Sequence, residues 1–361
     1  MIDVFLEKYF SVIREFLPEK GIKPSIGLDI GSDSLKAIEV VGREGTFEIS
    51  NWITEPANPL NTNNLLRKIL GKLDASSKNV STSVSGKGTL IRYIDMPRMP
   101  IEDLRNSINI EADKHFPFPR DQINTDCFIL DPKNKDSKMH VLVAAAKKDV
   151  IEQRMRLLTS LEIKPEFIGI NSLAIANILN VSGLKAMNQI NASQSNSKDE
   201  VIAILDIGHC ISSLIIIKGA MPYFTRDIFL GGQDLNKRIA NVLSLEGDEA
   251  QRLKCEPGDR LEEIQRACES ILTNLISEIR LSFDYFVTEK NIPISKLLLT
   301  GGSSKLKGIV EFFGRNLDLP VEEWNPLDGF EISPHLSNKN ELLNDSHRLG
   351  VALGLALYNH D

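Results

Sequence analysis

The sequence has little cysteine: Cys127, Cys210, Cys255 and Cys268 are its four, and no two stand at CxxC spacing. Neither a zinc site nor a disulfide framework is indicated, and a reducing compartment is the plain reading. No apolar run approaches the ~18–20 residues that cross a bilayer, which predicts a soluble protein without a transmembrane segment. Positive charge is not in excess either. Lys and Arg number 42 against 49 Asp and Glu, a net charge of −7, which argues against a surface built mainly to neutralise nucleic-acid phosphates. What the chain does have is 361 residues of which 42% are hydrophobic. That excludes disordered and fibrous classes and predicts a sizeable core in two units, at ~100–200 residues per domain.

At the N-terminus, residues 1–24 read as an amphipathic helix followed by a linker. Phe5, Tyr9, Val12, Ile13 and Phe16 recur at three- and four-residue steps, while Asp3, Glu7, Lys8, Arg14 and Glu15 interrupt any signal-peptide core. Residues 25–41 then form two short β-prone runs joined by a Gly/Ser/Asp/Ser turn, and residues 201–217 repeat the design with Asp206 and Gly208 in the places of Asp29 and Gly31. The chain therefore contains a diverged duplication, whose copies are separated by a polar loop at 188–200. Between the hairpins, Ile101, Leu104, Ile108 and Ala112 mark an amphipathic helix that ends at Phe116, Pro117, Phe118 and Pro119. Ile264, Cys268, Ile271, Leu275, Ile279, Phe283 and Phe286 lie on one stripe of a long core-facing helix. Residues 297–302 are a buried strand running into a diglycine turn.

The hairpin turns suit the phosphates of a nucleotide. Gly31 and Gly208 let backbone N–H groups approach anionic oxygens, Ser32, Ser34 and Ser212 offer hydroxyls, and Lys36 adds charge at the strand edge. A carboxylate beside polyphosphate repels it unless a cation intervenes. Asp29 and Asp206 are therefore placed to order Mg²⁺ through its water shell. Gly301, Gly302 and Ser303, at a strand-to-helix turn, allow a planar base or an α-phosphate to come close to the backbone. A Phe-Pro-Phe-Pro corner is stiff, because proline fixes the backbone after each ring, and Phe116 and Phe118 suit the capture of an extended peptide.

This order of motifs resembles the actin-like ATPase superfamily. Residues 29–36 look like its first phosphate motif, 206–213 its second and 300–308 its adenosine motif; 226–240, with Gly231 and Gly232, and 349–356 look like its two connecting elements. The segments 103–119, around Asp126 and 141–150, with Phe224 to Arg226 and Asn325-Pro326, resemble more narrowly the PilM family, cytoplasmic actin-like components of type IV pilus assembly. The resemblance implies an α/β actin-like fold of two lobes with mixed sheets around a nucleotide cleft, plus an inserted α+β subdomain. The first lobe would take 25–88 and 166–187 with a C-terminal helix at 347–361, the insertion 89–165, and the second lobe 201–346 with a nucleotide-contacting helical part at 236–290.

It also implies ATP and Mg²⁺ as ligands, ribose contacts from Glu278 and Ser282, and hydrolysis that is slow or absent. The implied partner is a short N-terminal segment of the inner-membrane protein PilN, in a groove beside the insertion. Other pilus motor or platform proteins are further implied partners, and the place is the cytoplasmic face of the inner membrane, reached through them. Where the superfamily's second phosphate motif has small or hydroxylic residues, this chain has His209 and Cys210. GspL-like secretion components, FtsA-like cell-division proteins and small-molecule kinases of the same superfamily stay open as alternatives, although FtsA relatives end in a membrane-binding helix and this chain ends at Asp361.

Overall fold

Strands in which nearly every side chain is apolar or small are buried on both faces and need cover from two sides. β1 (Ser25–Ile30) and β9 (Val201–Ile207) are of this kind, and each is the middle of a lobe. A computed structural model describes residues 24–43, 46–73, 79–130, 132, 137–181, 200–219 and 221–360. The expected N-terminal helix and most of the expected interlobe loop, 188–199, lie outside the described residues.

In the first lobe β1 pairs antiparallel with β2 (Ser34–Arg43), and β2 with β3 (Thr46–Pro56). On its other side β1 runs parallel to β4 (Asn79–Val84), and β4 to β8 (Phe167–Ile170). The second lobe repeats this. β9 pairs antiparallel with β10 (Ser212–Lys218), and β10 with β11 (Met221–Ile228), while β12 (Lys296–Thr300) lies parallel to β9 and β13 (Val321–Glu323) parallel to β12. The duplication read from the two hairpins is thus a duplication of whole mixed sheets.

Two helices fill the space between the sheets. α5 (Asn171–Val181) and α11 (Gly350–Ala356) contribute Ile175, Ile178, Leu179, Leu353 and Leu355 to a core that also holds Ile38 and Trp52 of the first sheet and Ile202, Ile204, Ile215 and Ile217 of the second. The approach is at backbone distance. A Cβ on Gly27 would overlap the Ala352 carbonyl oxygen, and one on Gly354 the Ala174 carbonyl oxygen. The second lobe's outer face is covered by α6 (Gly232–Leu243), α7 (Gly247–Cys255) and the long α8 (Leu261–Lys290), whose predicted stripe packs onto Leu205, Leu214 and Leu299. α9 (Ile309–Leu317) completes that core with Ile309 and Phe313.

The insertion is a three-stranded antiparallel sheet, β5 (Thr89–Pro97), β7 (Lys138–Lys147) and β6 (Ile123–Ile129), with β7 in the middle. One face is covered by α2 (Ile101–Ile110) and the short α3 (Ala112–His115), through Leu104, Ile108 and Ala112. It is shorter than the 89–165 read from the sequence. α4 (Lys148–Thr159) leaves β7 directly and places Leu158 in the first lobe's core beside Ile26, Leu28, Leu66 of α1 (Thr62–Lys72) and Ile69. The second lobe likewise gives up the end of 201–346. Trp324, Leu327 and, from α10 (Lys339–Asp345), Leu342 pack with Ile38 and Trp52, and β14 (Glu331–Ile332) pairs with β3. Both differences have a like cause: a local apolar pattern, on a helix or a short segment, shows which side chains are buried but not which sheet receives them.

Gly354→Val is expected to destabilise the protein by about 3 kcal/mol or more, because carbonyl backbone cannot move aside as a side-chain tip does. Urea unfolding of the purified variant, or its loss from the soluble fraction, checks this. A midpoint within error of wild type would mean that α11 and α5 are not in backbone contact.

Candidate functional site

The two hairpin turns are built alike. Gly31 N–H donates to the Ser34 carbonyl at 3.2 Å, and Gly208 N–H donates to the Ile211 carbonyl at 3.1 Å. Their strands differ in one cross-strand pair. Asp29 stands opposite Lys36, whose Nζ meets Asp29 Oδ2 at 2.7 Å in buried surroundings. Asp206 stands opposite Ser213, and the Ser213 hydroxyl donates not to Asp206 but to Asp227 Oδ1 at 2.8 Å. Asp206 therefore lacks a cation on its own hairpin. Burial pushes its carboxyl up to about 7; Lys36 across the cleft opposes this, and Asp29 and Asp227 add to it.

The third element closes on the second. Gly301 has φ +88°, a left-handed conformation that favours glycine, and a Cβ there would overlap Asp206 Oδ1 and lie 2.6 Å from the Ile207 backbone. Gly301 N–H also donates to the His347 carbonyl at 2.8 Å, joining the turn to the segment before α11. A side chain at position 301 would thus disturb the fold of the turn itself as well as the space above it.

The three turns enclose one cleft of about 570 Å³. Asp29, Gly31, Ser32, Ser34, Lys36, Asp206, Gly208, Gly301, Gly302 and Ser303 all line it. Ser212 does not. Its hydroxyl is buried and donates to the Leu230 carbonyl at 2.7 Å, and Ser213 lines the cleft in its place. Gly231 and Gly232 stand behind the second turn rather than in the cleft: Gly232 N–H donates to the Gly208 carbonyl at 2.9 Å, and a Cβ on Gly232 would overlap Ser303 Oγ.

Glu278 and Ser282 are also elsewhere. Arg226 of β11 holds both, with Nη2 at 2.5 Å from Glu278 Oε2 and Nη1 donating to Ser282 Oγ at 3.1 Å. α8 turns that polar face onto the sheet edge, and the helical part of the cleft wall is α7, through Gln251, Lys254 and Cys255. A sign for α7 existed in the i,i+3 pair Gln251 and Lys254, but the helix is short and otherwise charged, so nothing marked that face as inward.

Other residues reached the cleft without a sequence sign. Arg348 donates to Asp33 Oδ2 at 3.1 Å and Ser34 Oγ at 2.9 Å and stands 3.7 Å from Asp345, tying the C-terminal segment to the first turn. His209 Nδ1 lies 3.6 Å from Asp33 Oδ1, a contact from turn to turn across the cleft; burial lowers the His209 pKa and Asp33 acts against that. Asn171, the first residue of α5, and Arg154 of α4 complete the floor. Among the described residues no group of three or more His, Cys, Asp or Glu is arranged to hold a metal ion.

A second, apolar groove of about 530 Å³ lies between the insertion and the first lobe. Two edge strands border it, β6 through Asn124 to Phe128 and β8 through Phe167 to Ile170, with Met221 and Pro222 of β11 at one end. Phe128 is 56% exposed at its mouth. The Phe-Pro-Phe corner is not part of it. Phe116 is only 4% exposed, packed in the insertion's own core with Leu104 and Met139, which corrects its expected docking role. Phe118 packs on the same core, its ring under Lys147 Nζ at 5.1 Å. No described helix is long and apolar enough to cross a membrane.

The family model described as type IV pilus assembly protein PilM matches residues 27–360. Among solved structures, a PilM-PilN type IV pilus biogenesis complex is similar with TM-score 0.79 and 24% identity, over 93% of this chain and 98% of that one. Ethanolamine utilization protein EutJ from Carboxydothermus hydrogenoformans matches with TM-score 0.53 and 14% identity, over 95% of this chain and 91% of that one. MreB5 of Spiroplasma citri bound to AMPPNP matches with TM-score 0.50 and 12% identity, over 93% and 95%. These likenesses show the expected actin-like fold.

The state of Asp206 sets an expected pH dependence. An unfolded aspartate ionises near 3.8 and this one near 7, so between those values the folded state holds the extra proton, and stability falls as pH rises through that window. Above about 7 the penalty is complete. Asp206→Asn is expected to raise the melting temperature by at least about 2 °C at pH 8 and to make little difference at pH 4, in the absence of ligand. Equal shifts at both values, read by differential scanning calorimetry, would contradict the assignment.

Proposed function

The chain belongs to the family of the type IV pilus assembly protein PilM, and on that premise we propose that it is a scaffold of the pilus assembly platform with two ligands, ATP in the cleft and an extended N-terminal segment of PilN in the apolar groove. The observation that carries the first ligand is the convergence of two identically closed glycine turns and a third glycine turn on one cavity. Gly31 and Gly208 leave room for backbone donors toward phosphate, and Ser32 and Ser34 add hydroxyls. Gly302 and Ser303, with Gln251 and Lys254 from α7, border the part that receives the nucleoside.

The donor set suits Mg²⁺. Asp29 and Asp227 both repel the Asp206 carboxylate, which only Lys36 offsets, and a hydrated divalent ion would relieve that repulsion. Asp29 and Asp206 would hold it through its water shell, where it would offset phosphate charge. Hydrolysis is slow or absent, because the cleft carboxylates are engaged: Asp29 with Lys36, Asp33 and Asp345 with Arg348, and Asp206 with the cation it would hold. None is free to take a proton from water.

For the second ligand, edge strands β6 and β8 offer unpaired backbone groups to an added strand, and the apolar floor offers side-chain pockets. PilN is the proposed source of that segment, as the partner named in the PilM-PilN complex that this chain resembles. Through it the protein is held at the inner face of the cytoplasmic membrane.

Titration with a synthetic PilN N-terminal peptide tests the groove. Phe128→Ala should weaken binding roughly tenfold with the melting temperature unchanged, and Phe118→Ala should not weaken it. Unchanged affinity in Phe128→Ala would move the peptide out of this groove. For the cleft, ATP with Mg²⁺ at about a hundred times its Kd should stabilise the protein by roughly 3 kcal/mol, and Asp29→Ala should remove that gain. No stabilisation of wild type would reject the nucleotide.

A further inference from the structure

Most cations lining the cleft have partners. Lys36 is paired with Asp29 at 2.7 Å, Lys254 donates to the Gly232 carbonyl at 3.3 Å, Lys305 donates to the Asn344 carbonyl, and Arg348 holds Asp33 and Ser34. Arg154 differs. Its Nη1 is buried without a hydrogen-bond partner, and among the described residues it is the one arginine or lysine nitrogen in that condition. Such orphaned donors are rare in folded proteins and mark an interaction that the site has yet to make. A guanidinium offers five donors in a planar fork and no acceptor, so the missing partner is an oxygen-rich anion.

The position of Arg154 says which anion. It lines the cleft together with Asp29, Gly31 and Ser32 of the first hairpin; burial works against its charge and the Asp29 carboxylate supports it. With Ile30 and Ser85 it forms the wall between the cleft and a neighbouring polar cavity of about 780 Å³. It is on the same side as Asp29, where Gly31, Ser32 and Ser34 take phosphate under the reading above, away from the Gly302, Ser303 and Lys254 end that receives the nucleoside.

Resting on that reading, we propose that Arg154 binds the terminal phosphate and is the residue by which this protein distinguishes a nucleoside triphosphate from a diphosphate. The ligand moves nothing unless the arginine's helix is attached to something that responds, and it is. α4 continues β7 without a loop, Lys147 N–H donates to the Gly88 carbonyl at 2.8 Å, and a Cβ on Gly88 would come within 2.5 Å of Val150. Both chain connections of the insertion thus meet the first turn of α4. One turn further along, Arg154 faces the cleft, while Ile151 of the same helix lines the apolar groove. α4 thus borders both cavities.

Calorimetry with Mg²⁺ and either ADP or the non-hydrolysed analogue AMPPNP tests this on the full chain. Arg154→Met keeps the length of the side chain and removes the unpaired donor. It should weaken AMPPNP tenfold or more, leave ADP within about twofold, and not lower the melting temperature. Equal weakening of both nucleotides, or no weakening, would overturn the assignment while leaving nucleotide binding in place. If Arg154→Met does not fold, Arg154→Lys serves. It keeps the charge and loses the fork, and should lose at least about threefold for AMPPNP alone; an unchanged AMPPNP-to-ADP ratio overturns the proposal. Failure of wild type to bind either nucleotide would reject the parent reading and this proposal with it.

Discussion

The rest of the structure depends on how closely α11 approaches β1 and α5. At Gly27 and Gly354 no side chain fits between the backbones, and the Ser25 hydroxyl donates to the Ala356 carbonyl, closing the same contact by a polar bond. A single thin layer of helix can then serve both sheets at once, which is why Ile38 and Ile204 belong to one core although they come from different lobes. The density of such a core fixes the separation of the sheets. With that separation fixed, the turns after β1 and β9 arrive on opposite walls of one cleft, and Arg348, just before α11, reaches Asp33 in the first turn. The cleft follows from the packing; no residue in it holds the lobes together alone.

The duplication gives the site its asymmetry. Equivalent positions in the two hairpins carry Lys36 and Ser213, so one aspartate has its own counter-ion and the other does not. Replacing Ser213 by lysine would satisfy Asp206 and leave less room for an incoming cation. An uncompensated buried carboxylate lowers the stability of the ligand-free protein at neutral pH, a common condition of sites that take up charge. The same reasoning covers the orphaned nitrogen of Arg154: an unbalanced anion and an unpaired donor line the same cavity, and on the proposed reading a phosphate with its cation would complete both.

What was legible in the sequence was whatever is decided within a few residues. The glycine turns, their aspartates and the strands around them are local patterns, and the structure brings the turns together on one cleft. Glu278 and Ser282 failed because a thirty-residue helix (Leu261–Lys290) has more than one polar face, and the stripe that fixes its buried side does not say which polar face meets the cleft. Phe116 failed for a related reason. A stiff aromatic corner is equally good for plugging a small core, and among the described residues Phe116 and Phe118 are the only aromatic rings in that of the insertion. Arg154, Asn171 and Arg348 carried no signal at all, since each comes to the cleft from a helix or segment far from the glycine turns in the chain.

Two cavities on one protein are coupled only through elements that touch both. α5 is one such element: Asn171 at its head lies in the cleft, and Leu173, Ala176 and Asn177 line the groove. α4 is the other, through Arg154 and Ile151. These helices are held differently. α5 is buried between the sheets with its small residues in backbone contact with α11, so it moves only with the lobes. α4 is amphipathic, anchored in the first lobe's core by Leu158 near its end and free of that core at its start. A ligand that draws on α4 therefore has to displace the root of the insertion and little else. Because the groove is walled by the insertion on one side and by β8 and α5 of the first lobe on the other, a rotation of that root would change its width, and any effect of nucleotide on peptide affinity must be matched by an equal effect of peptide on nucleotide affinity.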